Sequence, residues 1–185
     1  MSAYLSGRSR CHGLTLIEVM VAVLVLAIGL LGIAGLQSAA LANNLISYQY
    51  TQASTLAQAL IERMRANRQA VIAGDYLLAA TAQAPRASAN CGASGARCSP
   101  QQQAQWDLAM LYAQLSADAN TANLQNGPRA ILPGGRLSVS CEAGCGDTAL
   151  RVVTIYWDAA RTGATGTDCS DGRSQLRCLR LGYVP

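Results

Sequence analysis

Residues 14–37, "LTLIEVMVAVLVLAIGLLGIAGLQ", run almost without polar interruption. Val19 to Leu36 holds no charged or strongly polar residue, and with Leu14 to Glu18 the stretch reaches the roughly 20 residues that a bilayer core requires. The pattern predicts the membrane half of a long N-terminal helix over 14–37. From 38 to 68 it turns amphipathic. Leu41, Leu45, Tyr48, Leu56, Leu60 and Met64 recur at mostly three- to four-residue steps among Asn, Gln, Ser and Thr, a helical stripe. The helix is therefore expected to continue to about Arg68, with its stripe packed on the C-terminal part of the chain, a reading compatible with contact to neighbouring helices in a filament.

Residues 79–96 are rich in Ala, Ser, Gly and Pro and read as a loop. "SPQQQAQWDLAMLYAQLSADA" then announces a second helix. Ser99 stands at the N-cap, Pro100 at the first helical position, and Gln102 completes a capping box. Trp106, Met110, Ala113 and Ala117 share one face with Ala109 between them, and Leu108, Leu111 and Leu115 share another, so the helix should be largely buried. Asp107 is expected to cap or to tether a loop. "ILPGG" (131–135) is a turn. After it the period shortens: "RLSVSC" alternates, "LRVVTIYWD" is β-branched and aromatic, and "QLRCLRLGYV" alternates again. Three strands in a meander are the economical reading. The expected fold class is α+β: a long N-terminal helix packed on a small antiparallel sheet, in a head spanning 69–185.

Glu18 is the anomaly in the apolar run. An acidic side chain costs about 2.5–3.5 kcal/mol at the bilayer centre, so one found there marks a functional position. Arg8 and Arg10 precede the run and no charge follows Glu18 until Glu62, which keeps the N-terminus cytoplasmic and sends the remainder across. Three processing routes fit: a secretory signal cut after Ala40-Leu41-Ala42, an uncleaved anchor, and cleavage between Gly13 and Leu14. The last frees an α-amine on Leu14, four residues before Glu18. In a bundle of such helices, Glu18 of one subunit would meet the Leu14 amine of a neighbour. The pair would neutralise both charges and set the axial register, the best-attested use of a buried ion pair. Gly29, Gly32 and Gly35 lie along one side of the run, where small residues admit close helix approach.

Composition narrows the chemistry. The 14 basic residues are all arginines, set against 10 acidic ones for a net charge of +4. They form no stripe, and the densest cluster, Arg63, Arg65 and Arg68, solvates a helix end, so no nucleic-acid partner is expected. The single histidine, His12, precedes the apolar run; cleavage after Gly13 would leave none, removing the commonest general base and metal ligand. With no nucleophile elbow, phosphate loop or metal-ligand cluster, neither catalysis nor a cofactor is expected. Asp168 and Asp171 are too sparse for a calcium loop, and no metal site is expected elsewhere. Of seven cysteines, Cys11 precedes the apolar run. Cys91, Cys98, Cys141, Cys145, Cys169 and Cys178 follow it at irregular, loop-like gaps without a Cys-x-x-Cys pair. That pattern fits an extracytoplasmic disulfide framework better than zinc. Many pairings are open; the local one is expected, Cys91 with Cys98, Cys141 with Cys145, Cys169 with Cys178, leaving Cys11 free.

"GLTLIEVMVAVLVLAIGLLG" resembles the class III signal of type IV pilins and pseudopilins, in which a glycine, a hydrophobic residue, Thr-Leu-Ile-Glu and a long apolar helix follow a short basic leader. Leu14 departs from the commoner phenylalanine. The resemblance implies that 1–13 is a leader removed by prepilin peptidase at Gly13–Leu14, that Leu14 is N-methylated, and that Glu18 is the assembly glutamate. "IGLLGIAGLQ", the cysteine before "SP" with the following "WDL", "ILPGG" and "VVTIYWD" resemble PilV-type minor pilins. Implied is a low-abundance pilin of the bacterial inner membrane with a single span and a periplasmic head. It would take part in initiating type IV pilus assembly and in the tip complex, with other minor pilins, the major pilin and a tip adhesin as partners. The alternative is a minor pseudopilin of a type II secretion system, which shares the signal. An exported binding module released after Ala42 is what the secretory route would leave.

Overall fold

The computed structural model describes residues 15–80, 84–115, 131–142, 144–164, 166–168 and 176–185. It divides into two compact units, Met1–Asn44 and Leu45–Pro185, and helix α1, Leu16–Ala66, contributes to both. In the first unit α1 is apolar on every side from Val19 to Leu36, long and apolar enough to cross a membrane, with none of its apolar window buried. A helix with no polar face has to be covered by lipid or by other protein.

In the second unit, α1 ends at Ala66, two residues before the end expected from the pattern. Asn67 leaves helical geometry (φ −120°, ψ 54°), and its side-chain amide donates to the Pro100 carbonyl at 2.8 Å. A short helix α2, Arg68–Ala73, follows and is stopped by Gly74 at φ 83°. The Asp75 N–H donates to Ala70 O at 2.9 Å and the Gly74 N–H to Val71 O at 3.2 Å, the bond pair that closes a helix on a left-handed glycine. Helix α3, Pro100–Leu115, begins as expected. The Gln102 N–H donates to Ser99 Oγ at 3.2 Å while the Ser99 N–H donates to Gln102 Oε1 at 2.9 Å, satisfying two donors the helix leaves open.

Strands β1 (Arg136–Cys141), β2 (Arg151–Asp158) and β3 (Leu176–Tyr183) form an antiparallel meander in the order β1-β2-β3. Val139 lies opposite Val153, and Val153 opposite Leu181. That register puts Leu137, Val139, Val153, Ile155, Trp157 and Tyr183 in the core, and Ser138, Thr154 and Arg180 on the other face. The core is a helix layer on this face: Ala53, Leu56, Ala57, Leu60, Ile61 and Met64 of α1, Val71 of α2, and Ala104, Leu108, Leu111 and Leu115 of α3. Leu78 extends the sheet at the free edge of β1 through paired bonds with Val139 of 3.0 and 2.9 Å. The 131–135 turn is held by a 2.8 Å bond from the Asp158 N–H to Pro133 O. Within it Gly135 allows close approach: a Cβ there would stand 2.6 Å from the Leu115 carbonyl oxygen.

Candidate assembly site and its supporting head

The candidate site in the first unit is the first turn of α1. Thr15 precedes the helix, and the Glu18 N–H reaches both its carbonyl (3.1 Å) and its Oγ1 (3.4 Å). Glu18 is thus the third helical residue, where a carboxylate complements the positive end of the helix dipole. Among the described residues its carboxylate makes no ion pair. It borders a shallow concavity completed by Val19, Ala22, Val23 and Leu26. From Leu16 through Leu36 the large apolar side chains are exposed, and added Cβ atoms at Gly29, Gly32 and Gly35 would meet nothing within 4 Å. The unit therefore offers one carboxylate at the start of an apolar shaft with a smooth strip along it. Chemically it can pair with a cation brought in by another molecule, and it can do little else.

In the second unit three polar fixtures hold the helices to the sheet or to one another. Trp157, fully buried on β2, donates its indole N–H to Gln49 Oε1 of α1 at 3.1 Å, and Tyr50 meets the indole edge-on at 4.9 Å between ring centres. Asp107 of α3, buried, accepts from Tyr76 Oη at 2.7 Å, Gln103 Nε2 at 3.0 Å and Arg63 Nη1 at 3.4 Å. One carboxylate thereby ties α1, α3 and the segment after α2. Burial, then the donation to Asp107, holds the Tyr76 phenol well above its ordinary range, so it stays a proton donor. Arg151 of β2 is the third fixture and is only 1% exposed. It donates to Val71 O at 3.3 Å, to Gly146 O at 3.2 Å and to Cys141 Sγ at 3.1 Å.

Asp158 closes the loop beyond β2. Burial pushes its pKa up, and that push is outweighed by donors from Gly163 N (2.7 Å), Ala164 N (3.2 Å) and Thr162 Oγ1 (3.2 Å), so the carboxyl lies below its usual range. Its 4% exposure reflects cover by its own loop rather than depth within the core.

Gly13, Leu14 and Cys169 lie outside the described residues. Disulfides join Cys91 to Cys98 and Cys141 to Cys145, and Cys178 is also disulfide-bonded. The stripe on α1 is corrected in its first half. Leu56, Leu60 and Met64 are buried, whereas Leu41, Leu45 and Tyr48 are exposed, and Gln49 and Ala53 take the core-facing positions instead. On α3 the Leu108, Leu111 and Leu115 face is buried, while Trp106 and Met110 are half-exposed because no layer covers that side of the helix fully. Asp107 tethers, as its position implied. Gln49 and Arg151 escaped sequence reasoning; a lone glutamine in a polar stretch and an arginine opening a strand carry no local mark of burial.

A long apolar-tipped helix followed by a disulfide-stapled head with a three-stranded antiparallel sheet defines an α+β pilin-like architecture. Residues 8–34 match the prokaryotic N-terminal methylation motif, and residues 35–109 match the family model of type IV pilin Tt1218. The two matches adjoin, so the chain carries a prepilin-type N-methylation motif and is similar to type IV pilin Tt1218 over the residues that follow it. That motif implies processing by prepilin peptidase and assembly with other pilins, and with the apolar helix it points to membrane anchoring. The family is structural rather than catalytic. Neither curated proteins nor solved structures include a significant match.

Proposed function

We propose that the chain is a minor pilin. On this reading prepilin peptidase removes residues 1–13 at Gly13–Leu14 and methylates Leu14, the 14–37 half-helix holds the protein in the inner membrane, and the 69–185 head lies in the periplasm until the subunit enters a pilus. It would help initiate assembly and sit in the tip complex with other minor pilins, the major pilin and a tip adhesin. The carrying observation is Glu18: a carboxylate with no ion-pair partner among the described residues, in the first turn of an otherwise apolar, exposed helix inside the matched methylation motif. Its partner is then the Leu14 amine of a neighbouring subunit, which supplies charge neutralisation and register together. The minor, pilus-specific role is supported by the similarity of "SPQQQAQWDL", "ILPGG" and "VVTIYWD" to PilV-type chains.

Intact mass and N-terminal sequencing of the membrane-extracted protein test the first step. The expected product starts at Leu14 and carries one methyl group. A product starting at Asn43 would remove α1's apolar half and Glu18, and the reading with them. Sheared pili should contain the chain in small amounts; its recovery only with a type II secretion complex would move it to the pseudopilins.

A further inference from the structure

The Cys141–Cys145 disulfide is set against a buried cation. Arg151 is 1% exposed and donates Nη1 to Cys141 Sγ at 3.1 Å. Its other bonds go to neutral carbonyls, Val71 O and Gly146 O, and its Nε is buried without a partner. Among the described residues no carboxylate forms an ion pair with it. Glu142, next to the disulfide, lies 3.5 Å from Arg180 instead. Tyr183 is the acidic group facing the guanidinium, and burial raises its pKa against the pull of Arg151, Arg65 and Arg68, so the phenol stays neutral. Its hydroxyl too is buried without a partner.

A buried guanidinium without a counter-charge is an expensive arrangement in a folded protein. Reduction of the adjacent disulfide would supply the missing charge, because a thiolate at Cys141 would sit at bonding distance from Nη1. Cations lower thiol pKa values, and a disulfide whose reduced form is stabilised in this way is more readily reduced. Access is arranged on the other sulfur's side: Cys145 is exposed, in an exposed turn, whereas Cys141 is half-buried at the end of β1. The two cysteines are four residues apart, so the bond closes a short loop and contributes little chain entropy to stability. Cys91–Cys98, at a sequence separation of 7, is the reference disulfide within the same molecule.

We propose that Cys141–Cys145 is a thiol–disulfide exchange site for a dithiol reductant, with Cys145 as the attacked sulfur and Cys141 as the leaving group. One thiolate of the reductant attacks Cys145 Sγ. A mixed disulfide forms, the Cys141–Cys145 bond breaks, and its electron pair departs on Cys141 Sγ beside Arg151. The reductant's second thiol, as thiolate, then attacks its own sulfur in the mixed disulfide. Cys145 is released and takes up a proton, and the reductant leaves as an intramolecular disulfide, having given up two electrons. The reductant is a dithiol protein that docks on the exposed residues 144–148 around Cys145.

The test uses the full chain in detergent at pH 7, equilibrated across ratios of reduced to oxidised dithiothreitol, acid-quenched, alkylated and read by peptide mass. Cys141–Cys145 should reach half-reduction at a ratio at least tenfold lower than Cys91–Cys98, about 30 mV for a two-electron couple. Arg151→Gln should bring the two midpoints within about threefold, with the shift confined to Cys141–Cys145. Reduction of Cys141–Cys145 together with or after Cys91–Cys98 in the wild-type protein would overturn the proposal. A gap that survives Arg151→Gln would do the same. If that variant does not fold, the wild-type comparison still decides.

Discussion

Asp107→Ala is the perturbation that most directly tests how the head is held together. In the native structure the carboxylate is 5% exposed and collects Tyr76 Oη, Gln103 Nε2 and Arg63 Nη1. The three donors lose different amounts on truncation. Tyr76 is 1% exposed, so its hydroxyl would be left inside with only the long 3.4 Å contact to Asn67, and an orphaned buried donor costs about 1–3 kcal/mol. Gln103 is half-buried and turns to solvent at little cost. Arg63 keeps 42% of its side chain exposed, so its ion pair is screened and contributes at most about 1 kcal/mol. The sum is roughly 1–4 kcal/mol, and for a chain of this size each kcal/mol lowers Tm by about 2–4 °C. Thermal unfolding followed by near-UV circular dichroism reads it, since Trp157 and Tyr76 report the core. The companion is Tyr76→Phe, alone and combined with Asp107→Ala. If the phenol–carboxylate bond carries the effect, Tyr76→Phe should cost clearly less in the Asp107→Ala background than in the wild type, with a coupling of about 1–2 kcal/mol. Strict additivity, or an Asp107→Ala loss below about 0.5 kcal/mol, would refute the reasoning.

Gly135→Ala would put a Cβ 2.6 Å from the Leu115 carbonyl oxygen and 3.1 Å from that of Leu132, both backbone atoms, so it should destabilise by at least about 1–3 kcal/mol; Gly146→Ala, with nothing within 4 Å, is the control in the same melting assay and should be near neutral. Asp158 has its pKa lowered in the folded state, so its contribution is present above the unfolded value of about 3.9 and is lost as pH falls through the folded value. Asp158→Asn should therefore be less stable than wild type in urea titrations at pH 7, and the gap should close in strong acid; an unchanged gap there would assign the effect to shape alone. Tyr76 has its pKa raised, so its contribution is complete below about pH 10 and is lost as pH rises further, and Tyr76→Phe should flatten the alkaline unfolding limb. Glu18→Ala should still be cleaved and methylated at Leu14 yet be missing from sheared pili, by mass and immunoblot; normal incorporation would remove Glu18 from the assembly account.

Much of the architecture is visible locally. The capping box from Ser99 to Gln102 can be read because its two bonds join residues three apart, and the strand periods of 136–141, 151–158 and 176–183 because side chains alternate whatever the partner. The α1 stripe shows the limit of the same reasoning. Periodicity identifies a helix and its apolar face but not where cover begins, so Leu41, Leu45 and Tyr48 belong to the pattern and yet are exposed, while Gln49 is buried. Gln49 is there because Trp157, 108 residues away, needs an acceptor for its indole N–H.

By itself, then, the sequence determined the apolar shaft, the position of Glu18 in it, the start of α3, the meander and the chain's match to the pilin models, all of which depend on spacings within a few residues. Only the tertiary structure decided which polar groups became interior: Asp107 as a shared acceptor for three elements, Gln49 beneath Trp157, and Arg151 against a disulfide without a counter-charge. The physical reason is that burying a polar group is tolerable only when its partners arrive with it, and those partners come from segments that meet only when the helices close on the sheet.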